Sequence, residues 1–360
     1  MTLPLPPVAP PRSGALPAPA PDVQPRRQRA RVAVLGASGY SGQEFARLAF
    51  SHPGIELALL VSREHAGRPA HEMLIGLAHD LGPPVVSPEV ALLAVGAGTV
   101  DTVVACLPHG AWKELAPAFE AAGDARIIDL SSDHRDGSAG YVYGQPESRR
   151  AAIAAAHRVS NPGCYPTAAT LALLPAIEEG WIGGPVMVSA VSGVSGAGRG
   201  ASVRTSFVER EGGAELYRAG VEHAHVSEMV RHWAEIGGAS LPVGFAPQIV
   251  PMARGILAVV HAPLARAITP EQAHLLWSAR YTNEPFVRVL PAGQWPDTRA
   301  VRGSNRCDVA VTTLHDGRCL LASAAIDNLV KGAAGQAIQN LNLLLGWPES
   351  TALPVDGLPW

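Results

Sequence analysis

The sequence predicts two successive α/β halves: a doubly wound parallel sheet, then an α+β unit whose strands include a hairpin. Three observations carry that expectation. From residue 30 to about residue 130, strand-length apolar runs alternate with helical patterns, the rhythm of a parallel sheet with crossover helices. A glycine-rich turn, Gly36-Ala37-Ser38-Gly39-Tyr40-Ser41-Gly42, joins the first strand to the first helix. Beyond residue 180 strands follow one another with few helices between them, the last two joined at His315-Asp316-Gly317, as in a hairpin.

Arg31-Val32-Ala33-Val34-Leu35 is a β-branched apolar run, so structure is expected to begin at Ala30 with a strand. A helical pattern follows through Phe45, Leu48 and Ala49, then a second strand over Ile55–Val61. Val100–Leu107 and Arg126–Leu130 read as further buried strands, with a helix over Trp112–Ala122 between them. After Cys164 come a helix over Ala168–Glu179 and strands over Val186–Val191, Gly255–His261, Cys307–Leu314 and Arg318–Ile326. The last helix, Asn328–Leu345, carries Leu329, Ala333, Ala337, Leu341 and Leu344 at three- and four-residue spacing. That is an amphipathic stripe, expected to pack back on the first half.

The expected division is a Pro-rich arm over 1–30, a cofactor-binding domain over 31–160 completed by the helix 328–346, a catalytic and oligomerisation domain over 161–327, and a tail over 347–360. The arm holds nine prolines and ends on Arg26-Arg27-Gln28-Arg29. Charge after the stretch, with prolines breaking it, is the opposite of a secretory signal; a disordered arm or a start site placed too early is expected.

Composition narrows the function. A formal net charge of −3 over 360 residues gives no reason to expect nucleic acid or an anionic membrane as partner, and no apolar run is long enough to span a bilayer. Cys106, Cys164, Cys307 and Cys319 are far apart with no CxxC pair, which fits a reduced, cytoplasmic setting rather than a disulfide framework. Cys106, Cys307 and Cys319 lie in strand-like runs and read as small buried hydrophobes.

The glycine loop has the spacing GxxGxxG, through Gly36, Gly39 and Gly42. A plain strand-to-helix turn would look similar. At the first strand of a doubly wound sheet, however, such glycines let backbone approach a pyrophosphate on the helix N-terminus. Ser38, Tyr40 and Ser41 fall in the same loop. NAD enzymes usually place an acid at the end of the second strand; here Val61 is followed by Ser62-Arg63-Glu64. A hydroxyl and a cation at that point suit the 2′-phosphate of NADP, although Glu64 keeps NAD open.

Cys164 follows Asn161-Pro162-Gly163 and precedes a helical run. A helix N-terminus stabilises a thiolate, so Cys164 is the expected nucleophile. His223-Ala224-His225-Val226-Ser227-Glu228 supplies a proton shuttle, with His225 and Glu228 on one helical face so that the carboxylate can orient the ring. HxH with an acid could instead bind zinc, or be a polar surface. Ser192-Gly193-Val194-Ser195-Gly196-Ala197-Gly198-Arg199 resembles an anion-binding loop, with Ser192, Ser195 and Arg199 as donors; a simple connecting loop is the alternative. Arg135 and Arg254 are candidates to grip a carboxylate or phosphate, unless they are ordinary surface arginines.

At these residues the chain resembles the N-acetyl-γ-glutamyl-phosphate reductases, arginine-biosynthesis enzymes of the semialdehyde dehydrogenase superfamily. The likeness extends through Leu107-Pro108-His109-Gly110, Glu284–Arg288, Gly303-Ser304-Asn305 and Ala325–Gly332, over about residues 31–350. It implies a Rossmann-type domain plus a catalytic/dimerisation domain of the semialdehyde dehydrogenase type, NADPH as cofactor, Cys164 as nucleophile and His225 as acid/base. It also implies Pro108 and His109 lining the cofactor site, Asn328 near the nicotinamide, no metal, and a homo-oligomer, commonly a tetramer. The substrate would be an acyl phosphate, with phosphate released. The chain departs from the pattern at Val226-Ser227, where Thr-Pro is usual, and at His134, where Phe is typical. Rival readings are the aminoadipyl-phosphate reductases of lysine synthesis, aspartate-semialdehyde dehydrogenase and, outside enzymes, an NADP-binding sensor.

Overall fold

The computed structural model describes residues 29–74, 76, 82–200, 202–220 and 223–358. The Pro-rich arm therefore lies outside the described residues, apart from its last two positions.

The first half is a seven-stranded sheet, all parallel: β1 Ala30–Leu35, β2 Ile55–Val61, β3 Val85–Val86, β4 Thr102–Ala105, β5 Arg126–Asp129, β6 Val142–Tyr143 and β7 Arg158–Ser160, in the spatial order β3-β2-β1-β4-β5-β7-β6. Strand side chains alternate between faces, and β1 is apolar on both. Val32 and Val34 pack with Phe45 and Ala46 of the helix Tyr40–Phe50 and with Ile338 and Leu341 near the C-terminus. Ala33 and Leu35 pack on the other face with Val95, Trp112 and Phe119. The sheet is thus covered on both sides, and the last helix of the chain supplies part of one cover, as expected from its stripe.

The second half is a mixed seven-stranded sheet: β8 Val186–Ser192, β9 Glu215–Leu216, β10 Val243–Ile249, β11 Ile256–Pro263, β12 Val287–Val289, β13 Cys307–Leu314 and β14 Cys319–Ile326, ordered β12-β13-β14-β11-β8-β10-β9. The expected hairpin joins β13 to β14, and His315, Asp316 and Gly317 all have positive φ, the conformation that a right-handed twist demands of a short hairpin loop. One face of this sheet is buried under the helices Cys164–Glu178, Ala224–Gly237 and Pro270–Tyr281. The other carries partly exposed apolar side chains, with Met187 exposed by half.

Two helices differ from expectation. The nucleophile helix starts at Cys164, not Ala168; Pro166 falls in the first turn, where its missing N–H has no partner to lose. The last helix opens as a π turn, Val330–Ala334, before continuing as an α-helix over Gly335–Leu344. Such turns recur at functional sites, and this one packs against Cys164. All four cysteines are free; Cys307 is buried as expected, but Cys106 and Cys319 are only partly so, lying near strand ends.

Candidate active site

Cys164 is the first residue of its helix, and Gly163 before it is the N-cap. The Thr167 N–H and hydroxyl both donate to Gly163 O, at 2.9 Å each, which tightens the first turn beneath the sulfur. Gly163 is required by its neighbours: a Cβ there would lie 2.6 Å from His225 Nε2 and 2.8 Å from Arg135 Nη1. Opposite, a Cβ on Gly332 of the π turn would lie 2.8 Å from Cys164 Cβ. The cysteine is thus held between an imidazole, a guanidinium and a bare stretch of backbone.

That enclosure corrects one expectation. Burial pushes the Cys164 thiol up to about 11; Arg135 and the backbone N–H of Tyr165 pull it down, Glu228 pushes it up, and its own N–H also lowers it. The helix start favours the thiolate, but desolvation outweighs it, so the resting group is a thiol that needs a base. His225 has the complementary state. Burial first, then Arg135, His223 and His109, hold it well below the ordinary histidine range, so the resting ring is neutral, and the same burial opposes its taking up a proton until negative charge develops beside it. Its Nδ1 is buried with no hydrogen-bond partner.

A second correction concerns Glu228, which does not orient the His225 ring. Its Oε1 accepts from Gly163 N–H at 2.8 Å and from Tyr143 OH at 2.8 Å, and its Oε2 from Arg135 Nη1 at 3.0 Å. A buried guanidinium and a backbone N–H attract the carboxylate more strongly than a neutral imidazole does. Arg135 is likewise not a free fork: Nε donates to Asn161 O at 2.9 Å and Nη2 to Leu130 O at 3.1 Å. Asn161 is clamped through all its polar atoms, donating from N to Asp129 O and from Nδ2 to Ala333 O, and accepting at Oδ1 from Asn340 and at O from Arg135. His223 caps the helix Ala224–Gly237, its Nδ1 accepting from His225 N–H at 3.1 Å, and its ring centre is 4.8 Å from that of His225. Among the described residues no group of three or more His, Cys, Asp or Glu side chains is placed to hold a metal ion.

The expected anion loop lies beside a cleft of about 470 Å³ lined by Tyr40, Ser195, Arg199, Thr205, Arg254 and Leu329, among others. Val194 and Ser195 bond through their N–H groups to Met252 O and Ala253 O. Asn328 ties this loop to the next segment, with Nδ2 donating to Ser195 Oγ at 2.9 Å and Oδ1 accepting from Gly255 N–H at 2.8 Å. Ser192 is buried and donates to Gly193 O. Arg199 reaches the first half, donating from Nη1 to Ser38 O at 2.7 Å. Arg254 is not open to a ligand on all sides, because it pairs with Glu44 at 2.7 Å and Asp327 at 3.6 Å.

The glycine loop fits a dinucleotide. Gly36 has φ +72°, and a Cβ there would be 2.2 Å from Cys106 O; a Cβ on Gly42 would be 2.4 Å from Gly36 O. These two glycines close the turn and seat the helix. The helix Tyr40–Phe50 has no side-chain cap and no acid in its first turn, which leaves the N–H groups that a pyrophosphate takes. Pro108 and His109 end the loop after β4. His109 Nδ1 accepts from Ser132 N–H and faces Ser132 Oγ at 2.8 Å, which directs the ring proton to Nε2. His134, in place of the typical Phe, stacks on Tyr141 at 4.2 Å and reaches Asp129 at 3.1 Å.

The sequence assigns no role to Tyr143, Asn161 or Gly332, although Asn161 and Gly332 fall within its motifs. A glycine inside a helical pattern signals a close approach, so Gly332 was detectable; Tyr143, in a two-residue strand, offered no local signal.

Comparison with known proteins agrees with this geometry. Residues 31–156 match the model of the semialdehyde dehydrogenase NAD-binding domain, and residues 164–328 that of the semialdehyde dehydrogenase dimerisation domain. The N-acetyl-gamma-glutamyl-phosphate reductase of Geobacter metallireducens is 40% identical over 347 residues, spanning 91% of this chain and 98% of that protein. That of Moorella thermoacetica is 39% identical over 352 residues, spanning 91% and 99%. Among solved structures, aspartate semialdehyde dehydrogenase II of Vibrio cholerae complexed with ASA superposes with a TM-score of 0.71 at 20% identity, covering 89% of this chain and 99% of that one. The Candida albicans aspartate semialdehyde dehydrogenase with NADP gives 0.67 at 17%, covering 88% and 98%. At those identities the structures speak for the fold alone.

Proposed function

The chain belongs to the N-acetyl-γ-glutamyl-phosphate reductase family of semialdehyde dehydrogenases, and from that membership we propose that it reduces N-acetyl-γ-glutamyl phosphate to the semialdehyde, in arginine biosynthesis. One observation carries the reading: a nucleophile helix that begins at Cys164, with the Nε2 of a neutral His225 pressed on the preceding glycine.

His225 takes the thiol proton as Cys164 Sγ attacks the acyl carbon; the carbon–oxygen bond to phosphate breaks, and inorganic phosphate leaves. The N–H groups at the start of the nucleophile helix stabilise the oxyanion, a contribution of about 10²–10³ in rate per donor. Gly36–Gly42 would hold NADPH, with Pro108, His109 and Asn328 lining its site and Ser62 and Arg63 toward the 2′-phosphate, and the cofactor would supply the hydride that reduces the thioester. As the thiolate departs, His225 returns its proton and Arg135 steadies the sulfur's charge. Ser195, Arg199 and His223 face the substrate or its phosphate, while Ser192, buried and bonded to Gly193 O, and Arg135, Glu228 and Arg254 act mainly by holding the site together.

The dimerisation-domain match and the half-covered second sheet support self-association, which we take to be tetrameric. Among the described residues no helix is long and apolar enough to cross a membrane; we place the enzyme in the cytoplasm because its relatives are biosynthetic reductases.

The test is the reverse reaction. N-acetylglutamate semialdehyde should reduce NADP only when phosphate is present. Faster turnover of aspartate semialdehyde would transfer the assignment to the shorter acid, and no turnover of either would leave the non-enzymatic reading.

A further inference from the structure

We propose that His65 forms part of the cofactor's 2′-phosphate seat, and that it, together with Ser62, selects NADP over NAD. This rests on the reading of the glycine loop as an NADP site.

At the end of β2 the chain turns sharply and is pinned to β3: Ser62 N–H donates to Val86 O at 3.0 Å, Gly67 N–H to Val85 O at 2.7 Å, and Val85 N–H to Arg68 O at 3.0 Å. The Arg68 N–H closes the turn on His65 O at 3.1 Å. So fastened, the turn brings His65 Nδ1 to 3.4 Å from Ser62 Oγ, and Ser62 Oγ to 3.3 Å from Ser38 Oγ of the glycine loop. Two hydroxyls and an imidazole from three positions converge at long hydrogen-bond distances.

Where an NAD enzyme sets a carboxylate for the ribose 2′-hydroxyl, this chain sets the Ser62 hydroxyl. The nearby acid, Glu64, is 85% exposed and its carboxylate is 4.0 Å from the same His65 Nδ1, so a 2′-phosphate would have to displace it toward solvent. Arg63, the next residue along, bears only weakly on the fully exposed Glu89 at the start of the helix Pro88–Gly96 and adds its charge beside Ser62. The nitrogen that touches Ser62 belongs to His65. A phosphate on the ribose would meet two hydroxyl donors and this imidazole together, whereas a bare 2′-hydroxyl could use one of them.

Hydrogen bonds to a charged group contribute about 1.5–3 kcal/mol, so loss of the imidazole should weaken binding of a 2′-phosphorylated ligand roughly tenfold or more. The experiment is calorimetric titration of the full-length protein with 2′,5′-ADP and with 5′-AMP, which carry the adenosine end of the cofactor with and without the 2′-phosphate. In His65→Ala, 2′,5′-ADP affinity is expected to fall roughly tenfold with 5′-AMP affinity unchanged, and His65→Asn to retain part of the preference. Thermal melts of both variants check that the turn still folds. If the wild type prefers 2′,5′-ADP and His65→Ala keeps that preference whole, or loses both ligands alike, the role of His65 is refuted. If the wild type binds both ligands equally, the NADP reading itself falls and the seat with it.

Discussion

Replacing His225 by asparagine removes the base and leaves the thiol where burial puts it. With Cys164 titrating at about 11, a thiolate exists at pH 8 in about one molecule in a thousand. The wild-type enzyme need not wait for that fraction, because the neutral imidazole takes the proton as the sulfur attacks. The variant must, so its turnover at pH 8 is expected to fall about 10³-fold, inside the ~10²–10⁴ range of general-base catalysis. Its sign with pH follows directly. Thiolate rises tenfold per pH unit below the thiol's titration point, so the variant's rate should climb by about that factor per unit from pH 7 to 10, while the wild type stays much flatter. The assay is phosphate-dependent NADP reduction by the semialdehyde across that range, with NADPH binding followed by fluorescence to show that the cofactor site is intact. A loss of less than tenfold, or a variant whose pH profile parallels the wild type's, would refute His225 as the base.

Other perturbations test the supports of the site. Glu228→Ala strands the Arg135 guanidinium, Gly163 N–H and Tyr143 OH together, so urea unfolding should show a loss of about 3–5 kcal/mol. Gly332→Ala puts a Cβ 2.8 Å from that of Cys164; overpacking of about 1–3 kcal/mol should lower kcat while the Kd for NADPH holds. Lys331 is fully buried, donating to Glu147 at 2.6 Å and Gln339 at 2.8 Å. Lys331→Met alone should destabilise by about 3–5 kcal/mol in denaturant titration, and adding Glu147→Gln should restore part of that loss.

The sequence announced what is local. β2 and β13 have their expected ends because each is a mostly β-branched or apolar run, broken only by Glu56 and by Asp308. Cys164 at a helix start was legible from Pro162-Gly163. The two-residue strands β3, β6 and β9 are too short to show any period, and their pairing comes from distant partners. The Glu228 contacts span 65 to 93 residues of sequence, so spacing along one helix pointed instead to His225. The state of the thiol depends on how fully the second half closes over it, a property no motif records. The π turn hid inside a stripe that also suits a regular helix.

The helix Gly335–Leu344 lies on the face of β1, a strand made some three hundred residues earlier. While the chain emerges from a ribosome, Val32 and Val34 have only the partial cover of Phe45 and Ala46 on that face until Ile338 and Leu341 have been synthesised. Domains generally fold in the order in which they are made, but here the part translated first is completed by the part translated last. The nascent chain must therefore keep an apolar sheet face shielded through most of translation, by transient packing or by a chaperone. A premature stop before residue 335 would leave the opening sheet uncovered, and such a fragment is expected to aggregate instead of persisting as a free cofactor-binding half.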